Sequence, residues 1–186
     1  MNTGLVNKLM ELIPGFQGTF PCDMLPRTQP NMSFIVNTES SRDSGEHWTA
    51  VYITEKYFYF FDSFGRGINQ FEEPFKGYMK KASRQFYVRT SSQDLQYIFS
   101  DVCGLWCIYF LWCKYTSFKF MFRHFSNDNL DNDEKLKDIM DFLNRLLPNY
   151  LTEQFKFDFS QYNKLFKLKN TLHNVKRLRA NIKEDI

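Results

Sequence analysis

Apolar and polar residues are patterned most clearly between residues 47 and 61. His47 to Ile53 and Tyr57 to Phe61 are dense in Trp, Val, Ile, Tyr and Phe, with Thr54-Glu55-Lys56 between them. β-Branched and aromatic side chains fill a pleated, half-buried surface well, and a short polar connection closes a hairpin, so two antiparallel strands are predicted. Ser33 to Asn37 and Phe86 to Arg89 read as further strands. Leu5, Leu9, Leu12 and Ile13 follow a short helical spacing, and residues 70–84 carry another. Leu136, Ile139, Met140, Leu143, Leu146 and Leu147 recur at steps of one, three and four, which predicts an amphipathic helix over 133–147 ending at Pro148. Cys103 to Tyr115 is apolar all round, the mark of a helix buried on every side. Gly15, Gly18, Pro21, Pro26 and Pro30 punctuate a loop, and residues 38–46 form a polar one. The expected architecture is α+β: a central, mostly antiparallel sheet packed against helices, one of them buried.

The 186 residues fit one domain, and an aromatic content of 18% argues for a packed body rather than a disordered chain. The net charge of +3 says little until its distribution is read. Residues 164–186 hold seven basic side chains (Lys164, Lys167, Lys169, Lys176, Arg177, Arg179, Lys183) against Glu184 and Asp185, so the rest of the chain is slightly acidic. Leu165, Leu168, Leu172, Val175, Leu178 and Ile182 give this tail an apolar stripe at helical steps. The division expected is therefore a body over 1–163 and a basic amphipathic helix over 164–186. Docking on the body or a partner, and electrostatic attachment to DNA, are both open uses for it.

The longest apolar run, Leu105 to Cys113, falls far short of the roughly 20 residues that span a bilayer, and the first twelve residues have no continuous hydrophobic run. A soluble, intracellular protein without membrane contact is expected. Cys22, Cys103, Cys107 and Cys113 lack the dispersed, turn-flanked pattern of a disulfide framework, and His47, His124 and His173 show no paired ligand spacing, so neither disulfides nor a metal or other cofactor is expected.

Chemistry concentrates at four positions. Cys103 opens the buried helix, where exposed backbone N–H groups favour negative charge and lower a thiol pKa. Gly104 leaves room for a substrate backbone. A small core residue at a helix end is the competing reading of Cys103. His47 stands at the start of the first hairpin strand and Asp62 at the end of the second, which makes them neighbours across an antiparallel pair. The Asp62 carboxylate can then accept one ring N–H of His47, fixing its tautomer. Gln96, in a polar segment, can donate to a developing oxyanion together with the Cys103 N–H. Trp48 reads equally well as a cover over the His–Cys pair that favours glycine in the substrate and as a core aromatic. Cys107 and Cys113 read as core cysteines.

The set Gly45-Glu46-His47-Trp48, Phe61-Asp62-Ser63-Phe64-Gly65, Gln96 and Cys103-Gly104-Leu105-Trp106-Cys107 resembles the adenovirus-type cysteine protease (adenain) family, part of a wider group that includes proteases specific for SUMO and other ubiquitin-like modifiers. The order His, acid, Gln, Cys is that of the family, and the resemblance covers roughly residues 15–115. It implies an adenain-like cysteine-protease fold with His47, Asp62, Gln96 and Cys103 as the catalytic residues. It further implies a viral or virus-like endopeptidase, found in the virion and host nucleus, that cuts capsid and core precursor proteins beside glycine during particle maturation, with DNA as a further partner. A protease for ubiquitin-like modifiers and a non-catalytic capsid-associated binding protein are the alternatives. Two departures stand out. The hairpin between His47 and Asp62 is short, and Asp stands where the adenovirus enzymes carry Glu. Some family members are activated by a peptide joined through a cysteine upstream of the glutamine, but no cysteine lies between Asp62 and Gln96 here.

Overall fold

A computed structural model describes residues 6, 7, 10, 11, 13–115 and 125–152, with side chains as far as residue 140. Its strands are β1 (Phe16–Pro21), β2 (Met32–Asn37), β3 (Trp48–Ile53), β4 (Tyr57–Phe61) and β5 (Tyr87–Thr90). Its helices are α1 (Phe75–Ala82), α2 (Cys103–Tyr115) and α3 (Asn129–Thr152), with a 3₁₀ turn at Ile68–Gln70.

The five strands form one sheet in chain order. The outer pairs, β1–β2 and β4–β5, are parallel, and the inner pairs, β2–β3 and β3–β4, are antiparallel. The expected mostly antiparallel sheet is thus a mixed one. The hairpin was visible because its connection is short. The parallel pairings depend on longer crossovers, and one of these carries α1. Strand β1 falls in the segment read as a loop. Gly18 sits at φ +120° and the register with β2 slips between Phe16 and Thr19, so the strand is written in residues that usually signal turns. Pro21 is tolerated because β1 is an edge strand.

One face of the sheet sends Met32, Phe34, Val36, Val51, Ile53, Phe58 and Phe60 into a core closed by Phe71, Phe75, Met79, Ala82 and Phe86. The Phe60 ring meets Phe71 and Phe75 edge-on at 5.4 and 5.6 Å. Each buried phenylalanine contributes about 1.5–3 kcal/mol, so this layer is a substantial part of what stabilises the sheet. The helix expected over 70–84 is shorter, starting only after Pro74 and ending at Ala82.

The opposite face receives α2. Ala50 pairs with Phe61, so the two side chains share that face, and the Phe61 ring stacks on Phe110 of α2 at 4.7 Å. Trp106, Cys107, Ile108 and Leu111 have no exposed surface, which explains why this helix is apolar all round.

Helix α3 begins four residues before the expected start because Asp128 caps it, its Oδ1 accepting the N–H groups of Leu130 and Asp131 at 3.1 and 3.2 Å. It also runs through Pro148 to Thr152 rather than stopping there. A proline removes one bond from the helical ladder, and the backbone carries that loss here.

Two compact units divide the chain, Met1–Arg145 and Leu146–Ile186. The sheet, α1 and α2 belong to the first. The basic helix expected over 164–186 lies outside the described residues, as do Leu5, Leu9 and Leu12 of the N-terminal pattern, while Val6, Met10 and Ile13 are buried. No helix among the described residues is long and apolar enough to cross a membrane.

Candidate active site

The hairpin sets the first contact. With Ala50 opposite Phe61, the chain entering β3 runs beside the chain leaving β4. His47 and Asp62 meet there, with Nε2 and Oδ1 2.5 Å apart. Asp62 is fully buried, and its other oxygen, Oδ2, accepts both the backbone N–H of Arg66 (3.0 Å) and its side-chain Nε (2.8 Å). The Asp62 N–H donates to Ser91 Oγ at 2.9 Å. The ring of Phe64 stacks on the imidazole at 5.0 Å, 28° from parallel. This neighbour also bears on the sequence reading of Trp48 as a cover: the ring that stacks on His47 is Phe64, while the backbone N–H of Trp48 helps to lower the pKa of Cys103.

Cys103, the first residue of α2, is buried and lies close enough to His47 for each to shift the other's pKa. Since Nε2 is taken by Asp62, Nδ1 is the ring nitrogen left for the sulfur. Burial opposes a thiolate at Cys103, but the hydrogen bond and charge of His47, with the N–H groups of Trp48 and Gly104, outweigh it and hold the thiol below its ordinary pKa. Burial also opposes a charged His47, and the Asp62 and Cys103 hydrogen bonds reverse that, raising its pKa. Asp62 is held below the carboxylate range despite its burial, by His47 and Arg66. The three shifts favour one charge state: carboxylate, imidazolium, thiolate.

The other helix cysteines contrast with this. Burial pushes Cys107 well up, and Cys113 up to about 12. No disulfide joins any of the four cysteines. Cys22 is buried against the core. Among the described residues no group of His, Cys, Asp and Glu has the makings of a metal site.

Gln96 meets Ser63, the residue after Asp62. Its N–H donates to the Ser63 carbonyl at 3.2 Å, its Oε1 accepts from Ser63 Oγ at 2.7 Å, and its Nε2 donates to the Ser100 carbonyl at 2.8 Å. Asp133 of α3 braces the segment that follows. Its buried carboxylate accepts the Tyr97 N–H (3.0 Å), the Ser100 hydroxyl (2.6 Å) and the Trp106 indole N–H (2.8 Å). The segment between Gln96 and Cys103 is thereby tied to α2 one turn beyond the cysteine.

Gly65 holds the two halves together. It sits at φ +67°, and a Cβ there would lie 2.9–3.0 Å from backbone atoms of Ser92, Gln93 and Asp94. Gly65→Ala therefore faces both a left-handed backbone and a main-chain clash. It is expected to cost about 1–3 kcal/mol in urea unfolding, and to lower activity by shifting the segment that leads to Gln96.

Of the four residues singled out in the sequence, His47 and Asp62 are hydrogen-bonded, Cys103 interacts with His47, and Gln96 lies beside the turn that carries Asp62. Sequence reasoning missed the parts played by Ser63, Phe64, Arg66 and Asp133. The first two were inside the quoted motif. Arg66 had a signal in its i,i+4 spacing from Asp62. Asp133 had none.

The adenovirus endoprotease family model matches residues 14–143, about 70% of the chain and all of the site. The chain belongs to that family. A protein named Protease from bovine adenovirus 4 is 30% identical over a 132-position alignment that covers 64% of this chain and 64% of the relative. The chain thus aligns with somewhat under two thirds of that relative's length. Family membership agrees with an α+β cysteine-protease fold, and the mixed sheet with its buried helix is the form that fold takes here.

Proposed function

We propose that this chain is a viral cysteine endopeptidase in which Cys103 is the nucleophile, His47 the general acid and base, Asp62 the group that orients His47, and Gln96 an oxyanion donor. The observation that carries the reading is a single imidazole hydrogen-bonded to a buried carboxylate, next to a buried thiol at a helix start whose pKa it lowers. The Cys103 thiolate attacks the scissile carbonyl carbon, and the charge moves onto oxygen, where the Cys103 N–H and the Gln96 amide receive it. The C–N bond breaks as His47 gives its proton to the leaving amine. The thioester that remains is hydrolysed by a water whose proton His47 takes, releasing the acid and restoring the thiolate–imidazolium pair.

The substrates proposed are capsid and core precursor proteins of a DNA virus, cut beside glycine during particle maturation. The protease name of the bovine adenovirus relative supports the viral assignment. Incubation with the structural proteins of the same genome, with product termini read by mass spectrometry, tests it. Discrete new termini next to glycine are expected. Labelling of Cys103 by a ubiquitin-type vinyl sulfone, without such termini, would favour a modifier-specific protease instead.

Gln96→Ala is expected to lower kcat by about 10²–10³, the range for one oxyanion donor, with little change in KM. A change confined to KM would remove Gln96 from the oxyanion hole. DNA is proposed as a partner through the basic residues of 164–186. Reversing those charges to Glu, with the apolar stripe kept, is expected to abolish salt-sensitive duplex binding, each lost phosphate contact flattening log K against log salt by about 0.9. Equal affinity of the two proteins in a fluorescence titration would exclude the tail as the DNA surface.

A further inference from the structure

We propose that Ser63 is a positioning residue for the oxyanion hole, anchoring the oxygen of the Gln96 amide while the Ser100 carbonyl sets its orientation; this rests on the assignment of Gln96 as an oxyanion donor. The argument begins with hydrogen-bond chemistry. The Ser100 carbonyl can only accept, so the group 2.8 Å from it is the Nε2 of Gln96. Oε1 must then be the atom 2.7 Å from Ser63 Oγ, and a carbonyl oxygen also only accepts, so the Ser63 hydroxyl donates. Both side chains are buried, with relative exposures of 0% and 1%, and solvent does not compete for these bonds.

A primary amide has two N–H bonds. One is spent on Ser100, which leaves a single hydrogen for a developing oxyanion. Rotating the amide by half a turn would set Oε1 against the Ser100 carbonyl and turn an acceptor toward the incoming negative charge. The Ser100 carbonyl is what forbids that flip, and the Ser63 hydroxyl, bonded to Oε1, is the second anchor that holds the amide plane in this orientation. Its backbone contributes as well, since the Ser63 carbonyl accepts the N–H groups of both Leu95 (2.8 Å) and Gln96 (3.2 Å). The residue adjoining Asp62 therefore helps to fix the second half of the machinery, and the orienter of the base and an anchor of the oxyanion donor are consecutive in the chain.

Ser63→Ala removes one oxygen and fits the same space. It is expected to lower kcat on a glycine-containing peptide by about tenfold, the scale of one hydrogen bond, with KM within twofold. Alkylation of Cys103 by iodoacetamide forms no oxyanion, so its rate and pH profile are expected to match wild type. In a double-mutant cycle, Ser63→Ala added to Gln96→Ala is expected to cost nothing more, because Ser63 acts only through that amide. A Ser63→Ala kcat within twofold of wild type would overturn the proposal. So would a parallel fall in alkylation rate, which would place the effect on the cysteine–histidine pair, or additive losses in the double variant. An unaltered kcat in Gln96→Ala alone would instead overturn the oxyanion assignment on which the proposal stands.

Discussion

Cys103→Ala is expected to leave a folded protein that turns over no peptide, a loss of about 10⁶-fold on the scale of nucleophile deletions. The thiolate supplies the electrons of the new bond, and no other described side chain replaces it. Cys107, one turn further along α2, has no exposed surface, and its pKa is pushed up by burial and by the negative charges near it. Cys107→Ala is therefore expected to keep activity within about threefold and to lose about 1 kcal/mol of stability through a small core cavity. Steady-state kinetics with circular dichroism on both variants checks the pair. A dead Cys107→Ala beside an active Cys103→Ala would name the wrong nucleophile.

Asp62→Ala is expected to reduce kcat by about 10⁴-fold, the order found for removing the acidic member of such a triad. Asp62→Asn should fall between this and wild type, since it keeps an acceptor for the imidazole but not the charge. The proposed active form pairs a thiolate with an imidazolium. Its acid limb is set by Cys103, whose pKa is lowered, and its alkaline limb by His47, whose pKa is raised. Removing the carboxylate lowers the His47 pKa, and a less charged ring raises that of Cys103. The bell-shaped profile of kcat/KM should narrow from both sides, and an unchanged profile would show that Asp62 does not hold the charge on His47. Stability changes in step. Because the Asp62 pKa is depressed in the folded state, its contribution is present at neutral pH and lost as pH falls through that depressed value. Wild type should therefore lose more stability between pH 7 and pH 3 than Asp62→Ala does, as measured by urea unfolding.

Local chemistry decided what could be read from the sequence. The hairpin, the span of α2 and the adjacency of His47 and Asp62 follow from residue type and short separation, and each was legible. Strand β1 was not, because a bulged edge strand containing Gly18 and ending in Pro21 uses the vocabulary of turns. The parallel pairings were hidden because they join segments whose registers no local pattern encodes. The start of α3 was carried by Asp128 as its cap, one polar residue among several in that stretch. At the site, charged and nucleophilic groups declared themselves through motif order. The neutral and remote supports did not, since a serine beside an aspartate, or an acid on a later helix, looks like any other surface residue until its burial is known.

Asp133 has a consequence for timing. All four proposed catalytic side chains have been synthesised once residue 103 has been added, but the carboxylate that braces the segment between two of them lies 27 positions beyond Trp106. At about 5–20 residues per second, that stretch takes some seconds to emerge. A nascent chain, or a fragment ending at the close of α2, would hold every reactive group while the Tyr97 N–H, the Ser100 hydroxyl and the Trp106 indole lacked their common acceptor. The order of that segment would then wait on the first turns of α3, which bring Asp133 to it.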